Sequence, residues 1–364
     1  MNRRNVLIGG GALAAVAAGT TLVVGKQMGS GMDYDAAMAA SRAPLPEHAA
    51  TRDLLRYATL APNGHNAQPW LFRVREKQIE VLPDFARRTP VVDPDDHHLF
   101  ISLGCAAENL ALASAARGRP GTLAFDPKAD GAITFDFSAG APEASVLFDA
   151  IPRRQSTRSD YDGRPVSTVN LKALATAAAM PGVDVILITD RPQINRVREL
   201  VVSGNDTQMS DAAFMRELKS WLRFNPRQAA VTGDGLYSAA SGSMAVPNWL
   251  GPRAFDAFVT AKSESERYAK QMQSSSGVAV FLGAKDDREH WTLVGRACQR
   301  FSLQATALGL KHAYMNQPVE VPALRPDLAV IVGMPGRRPD VVMRFGHGAI
   351  LPFSARRPAR IVTA

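Results

Sequence analysis

Three short segments carry the side chains best suited to grip a small polar ligand. The first is Ala61-Pro62-Asn63-Gly64-His65-Asn66-Ala67-Gln68-Pro69-Trp70. Carboxamides both donate and accept, so Asn63, Asn66 and Gln68 suit the edge of a planar heterocycle whose atoms alternate between the two roles. The same run also reads as an Asn- and Gly-rich turn. The second is Arg153-Arg154-Gln155-Ser156-Thr157-Arg158. Guanidinium forks alternating with hydroxyls match a phosphate monoester, although a solvated basic linker has the same composition. The third is the tail, Arg344-Phe345-Gly346-His347-Gly348 followed by Pro352 to Pro358 with Arg356 and Arg357. It reads either as a buried arm bringing two arginines to a phosphate or as an exposed basic end.

Other chemistries lack their spacing. Asp93-Pro94-Asp95-Asp96-His97-His98 invites a metal, but adjacent histidines diverge on a helix and no ligand-type residue follows either at i+3 or i+4. Aspartate at that place is a helix cap, and no metal is expected. Ser243 sits in no Gly-x-Ser-x-Gly elbow, and no Gly-x-Gly-x-x-Gly follows a strand. Cys105 and Cys298 form no Cys-x-x-Cys, so they read as small buried side chains, with a disulfide as the lesser alternative. The formal net charge is +8, but basic residues are not interleaved with aromatics, which leaves nucleic-acid binding without support.

These segments need a frame, and 364 residues at 46% hydrophobic can bury a large core. Helices are expected over about 49–61 and 169–179, each ending at a proline, with strands following at Trp70–Val74 and Val183–Thr189. Gly104 to Gly118 aligns without gaps on Gly295 to Gly309, sharing Gly, Ala, Leu, Ala and Gly at 104/295, 106/297, 112/303, 116/307 and 118/309. Both read as helices of small residues able to pack closely together, and the pairing predicts an internal duplication. Val278–Leu282 and Leu328–Val332 read as further strands. The basic segment 153–158 is placed at the opening of the second half's first helix. Residues from about 193 to 273 have no counterpart in the first half and read as two or three helices forming a lid, interrupted at 233–249. The fold expected is α+β: two fused halves with mixed sheets around a central pair of helices, residues 33–148 and 149–364. Residues 1–32 are set apart, because Arg3-Arg4 precedes an uncharged stretch from Val6 to Gly25. That resembles a twin-arginine export signal, with a membrane anchor as the alternative, and implies a periplasmic or envelope location.

Taken together, the segments resemble the FMN-dependent nitroreductase-like family over nearly all of residues 45–358. Arg154-x-Ser156-Thr157-Arg158 is similar to that family's phosphate grip, Asn63 to Trp70 to its Asn-x-Gln-Pro-Trp loop, and Asn316-Gln-Pro-Val-Glu320 to its flavin-lining Pro-x-Glu segment. The resemblance implies one FMN, its phosphate held by Arg154, Ser156 and Arg158, with Arg356 and Arg357 as further candidates. Asn66 and Gln68, with Asn63 less securely, would face the ribityl chain or ring edge, and Pro318 and Glu320 would lie along the ring. In the family the grip precedes the loop and two chains pair. Here the loop is in one half and the grip in the other, which implies a pseudo-dimer within one chain with one composite site surviving. The activity implied is an oxidoreductase passing hydride or electrons from a small-molecule donor to nitroaromatic or quinone-type acceptors. The alternative is a non-catalytic, FMN-sequestering protein sealed by its lid.

Overall fold

The computed structural model describes residues 28–143 and 145–362; the stretch read as an export signal lies outside them as far as residue 27. The described chain begins with α1 (Gly31–Ser41) and α2 (Thr51–Thr59), then β1 (Trp70–Val74), β2 (Gln78–Pro83), α3 (His97–Ala115), β3 (Gly121–Asp126) and β4 (Ala132–Phe137). The second half runs α4 (Val146–Ala150), α5 (Thr168–Ala178) and β5 (Val183–Ile188). An insertion follows: α6 (Arg191–Ser210), α7 (Ala212–Trp221), β6 (Leu222–Arg223), α8 (Pro226–Thr232), β7 (Leu236–Tyr237), α9 (Gly251–Phe258) and α10 (Ala261–Gln273). Then come β8 (Gly277–Gly283), α11 (Arg288–Ala307), β9 (Lys311–Tyr314), α12 (Gln317–Glu320), α13 (Arg325–Ile331), β10 (Val341–Gly346) and β11 (Ile361–Val362).

The α+β expectation holds, and the strand order repeats. One sheet is ordered β11-β1-β2-β4-β3 and the other β5-β8-β10-β9, so each half places its first, second, fourth and third strands in that sequence. Every neighbouring pair within those two sets is antiparallel. Only the first sheet is mixed, because β11 joins β1 in parallel; the second is antiparallel throughout its described strands. In β8 alternate residues serve two cores. Ala279 and Phe281 pack into the large cluster shared by both halves, while Val278, Val280 and Leu282 pack beneath α6 and α13.

The helices α3 and α11 cross between the sheets in backbone contact. A Cβ on Gly104 would lie 2.1 Å from the Thr292 carbonyl oxygen, and one on Gly295 would lie 2.0 Å from that of Ile101. Only glycine permits this approach. Polar ties lock the crossing: Glu108 accepts from Arg296 at 2.9 Å and from Arg300 at 2.8 Å, and Gln299 donates to Asn109 at 2.6 Å.

Three expectations are corrected. Leu328–Val332 is not a strand but belongs to α13, where Pro326 occupies the first turn and Leu328 and Ile331 are buried at helical spacing. The strand of that sheet is the wholly buried Val341–Gly346, whose last three residues open the segment the sequence offers as a tail. The insertion holds five helices rather than two or three. Residues 154–158 open no helix; they run extended after a short turn at Ile151–Arg153, and α5 begins only at Thr168, capped by Ser167.

Candidate functional site

The loop between α2 and β1 is built from strained backbone. His65, Asn66 and Gln68 all take positive φ, at 46°, 54° and 55°, a region costly for side-chain-bearing residues. Asn63 helps hold the turn, its Oδ1 accepting from the Gln68 N–H at 2.8 Å. The turn opens onto a cavity of about 640 Å³ whose wall includes Pro62, Asn63, His65, Arg158 and Glu320. The loop of the first half therefore shares a cleft with Arg158 of the basic segment, whereas Arg154 and Ser156 do not line it.

The basic segment is held from behind. Ser156 bridges to His312 beside β9, and the Thr157 N–H donates to the His312 carbonyl at 2.8 Å. Arg344, fully buried on β10, donates to the carbonyls of Thr157 at 3.1 Å and Ser159 at 2.7 Å, with its guanidinium 3.9 Å from the Tyr161 ring centroid. This clamp presents Arg158 to the cavity, where its side chain makes no hydrogen bond or ion pair among the described residues. Arg154 donates Nη2 to the Leu60 carbonyl at 3.1 Å, while its buried Nε and Nη1 have no partner. Burial draws both arginines below the ordinary guanidinium range, a desolvation cost that an anion would relieve.

The remaining predicted residues divide into two groups. Glu320 lines the cavity, accepts from Gln208 Nε2 at 2.7 Å, and is pushed up by burial; Pro318 is buried in the same short helix but behind the wall. Asn66 and Gln68 spend their amides elsewhere. Asn66 Nδ2 donates to the carbonyls of Gly235 and Ala355, and Gln68 Nε2 donates to that of Gly233 while its Oε1 accepts from the Arg357 N–H. Arg356 donates to Asn66 Oδ1 and to the carbonyls of Thr59 and Ala61, and burial pulls it down to about 9. These four residues pin the C-terminal arm and the insertion onto the loop, and none lines the cavity.

Several cavity residues were not singled out as ligand-binding from sequence. His65 is pulled down to about 4 by burial, with Arg158 and His98 nearby, and its Nδ1 is buried without a partner. Asp93 is pushed up to about 7 by burial although it accepts the N–H groups of His98 and Leu99, each at 2.9 Å, as a cap on α3. Asp93, His97 and His98 bring ligand-type atoms within 4.8 Å of one another. Their atoms are already committed, however: Asp93 to backbone, His97 to Asp340 at 2.8 Å. The insertion supplies the cavity's apolar wall, including Phe214, Leu218, Phe224 and Phe255. The sequence reads the segment as a lid, but not which of its side chains face the cavity.

No family model matches the chain. Two curated relatives, "Putative NAD(P)H nitroreductase MT3217" and "Putative NAD(P)H nitroreductase Rv3131" from two strains of Mycobacterium tuberculosis, are each 27% identical over 332 residues, spanning 88% of this chain and 92% of their own. Among solved structures, a nitroreductase with bound FMN from Desulfitobacterium hafniense covers 60% of this chain and 95% of its own at 15% identity, with a TM-score of 0.38. The FMN-dependent nitroreductase NfnB from Mycobacterium smegmatis, in complex with NADPH, covers 56% and 87% at 12% identity, with a TM-score of 0.37.

Proposed function

We propose that this chain is an FMN-dependent oxidoreductase of the nitroreductase-like kind, with one composite site between its two halves. The observation that carries the reading is Arg158, unpaired in the lining of a cavity that also receives the Asn63–His65 turn, within electrostatic range of Arg154, whose buried Nε and Nη1 have no partner. Two cations lacking counter-charges, Arg154 buried and Arg158 half-buried, form a ready receptor for a phosphate dianion. Arg154, Ser156 and Arg158 would hold the phosphate of FMN, and Asn63, Glu320 and the backbone around Pro318 would meet its ring system. Bound there, the flavin would supply the hydride and electron transfer. The protein's own groups bind, orient and exclude water. Burial keeps His65 neutral beside the cavity and pushes Glu320 up.

The finer reading is a nicotinamide-type donor and a nitroaromatic or quinone-type acceptor, in line with the names of the curated relatives. The repeated strand order and the reciprocal glycine crossing support an origin by duplication, with the chain acting as its own dimer. Arg3-Arg4 and the uncharged run behind it support export by the twin-arginine route to the periplasm or envelope. A second reading, a sequestering protein that holds FMN without turning it over, is favoured by the amount of the cavity wall that the insertion provides.

The purified chain should be yellow, with a flavin spectrum. Anaerobic mixing with NADPH or NADH separates the two readings: bleaching identifies the enzyme, and persistent colour the sequestering protein. A Ser156→Ala, Arg158→Ala double variant should lose most of its flavin; unchanged occupancy would refute the phosphate assignment.

A further inference from the structure

The apolar side chains of the insertion build little core of their own around the cavity. Phe214 and Leu218, four residues apart on α7, together with Leu222 and Phe224, belong to none of the hydrophobic clusters among the described residues. α7 contains no fully buried residue. All four side chains face the cavity instead, joined by Phe255 and Phe258 from α9. An amphipathic helix normally turns its apolar face onto protein. Here that face is turned onto open volume, opposite a wall carrying Asn63, His65, Arg158 and Glu320.

The cavity is thus amphiphilic: the insertion brings an apolar cluster from α7 and α9 beside polar groups of its own such as Gln208, Glu264 and Arg267, and the two halves add further polar groups. Two of its apolar lining residues also reach the surface: Met244 is 85% exposed and Phe258 77% exposed. They mark a greasy exit from the chamber. A compact acceptor needs no such second compartment. We infer that the insertion forms a chamber for an aliphatic chain, so that the acceptor is a redox-active ring bearing an alkyl tail. The ring takes the polar wall, and the tail runs past Phe214, Leu218 and Phe255 toward Met244 and Phe258. This rests on the flavin reading for the ring, but the apolar cluster that would take the tail is supplied by the insertion.

The chemistry predicts a simple dependence. Each methylene moved from water into an apolar chamber tightens binding by about threefold to fourfold until the chain emerges. The test is equilibrium binding to the full chain, read by tryptophan fluorescence, of benzoquinones carrying no tail, a butyl tail and a decyl tail. Flavin content is measured by absorbance on the same samples. Affinity should rise at least tenfold from the unsubstituted to the decyl compound. Phe258→Gln, at an exposed position that does not endanger folding, should flatten the rise, and Leu218→Gln should flatten it further. Equal affinity for all three compounds overturns the chamber. Decanol binding as tightly as decylquinone overturns the ring-bearing ligand and leaves a lipid chain as the occupant. Chain-length dependence persisting in protein that binds no flavin would sustain the chamber and sink the flavin reading, so the two fail separately.

Discussion

The two halves join the helix before their first strand to that strand in opposite ways. In the second half, α5 reaches β5 through Ala179–Gly182, a short turn closed by Gly182 at φ 81° and a bridge between Met180 and Val183. In the first half, α2 reaches β1 through residues 60–69, a longer path with three non-glycine residues in the left-handed region. Both turns serve the same topological purpose, so the extra length and strain of the first are not needed for the fold. Non-glycine residues there cost on the order of 1 kcal/mol or more each and persist where the surroundings hold them. The surroundings here are specific: amides of Asn66 and Gln68 reach the insertion and the C-terminal arm, which exist once in the chain. The lesson is that the frame is common to both halves, whereas the site lies where one half has been elaborated by segments the other lacks.

The frame is where the largest effect is expected. Gly104→Val and Gly295→Val each place carbon atoms on a facing carbonyl oxygen, so each should abolish folding or cost more than about 4 kcal/mol. The two should be about equally damaging, because the crossing is reciprocal; thermal unfolding checks this. If one were tolerated while the other was not, the equivalence of the halves at their centre would be broken.

The elaborated turn should respond differently, and two arginines separate its scaffold from its site. Arg356→Met leaves the Thr59 carbonyl without its side-chain donor and the Ala61 carbonyl with only that of Asn63, and should cost about 2–4 kcal/mol of stability with or without ligand. Arg158→Ala removes a cation with no protein hydrogen bond. It should leave the melting temperature of the ligand-free protein unchanged or higher, while weakening FMN binding by roughly tenfold to a hundredfold. The opposite pattern, with Arg158 structural and Arg356 ligand-dependent, would reverse the assignment of scaffold and site.

Much of the frame was legible because it is written in local patterns. Trp70–Val74 and Val278–Leu282 alternate or run apolar as strands do, and Gly104 and Gly295 align through neighbouring small residues. Leu328–Val332 misled because a β-branched apolar run fits a strand or a buried helix, and Pro326 decides between them only once its place in the first turn is known. The site was half legible. Asn63, Arg158 and Glu320 reach the cavity as types suited to it, but nothing local to Asn66, Gln68 or Arg356 distinguishes an amide or guanidinium offered to a ligand from one spent on a distant carbonyl. That choice is made by contacts spanning, for Asn66 and Ala355, nearly the whole described chain. His65 and Asp93 were harder still, since burial alone gives them their character.

That burial yields the smallest expected effect and a sharp one, because its two parts oppose each other. An unfolded histidine takes up a proton below about pH 6.5, but His65 does so in the folded chain only near 4. Between those values the unfolded state holds more protons, so this group makes stability fall as pH drops. Asp93 behaves inversely. Its carboxyl keeps a proton up to about 7 in the folded chain against 3.8 in water, so through that window it makes stability fall as pH rises. In the wild type the two slopes largely offset each other between about pH 4 and 6.5. Relative to wild type, His65→Gln should therefore tilt the stability profile toward low pH, and Asp93→Asn toward high pH. Denaturant midpoints measured at pH 4.5, 5.5 and 6.5 report the tilt independently of whatever each substitution costs at a single pH. Parallel profiles for wild type and both variants would mean that neither group is held in its buried state, and that the elaborated turn is more open to water than its packing indicates.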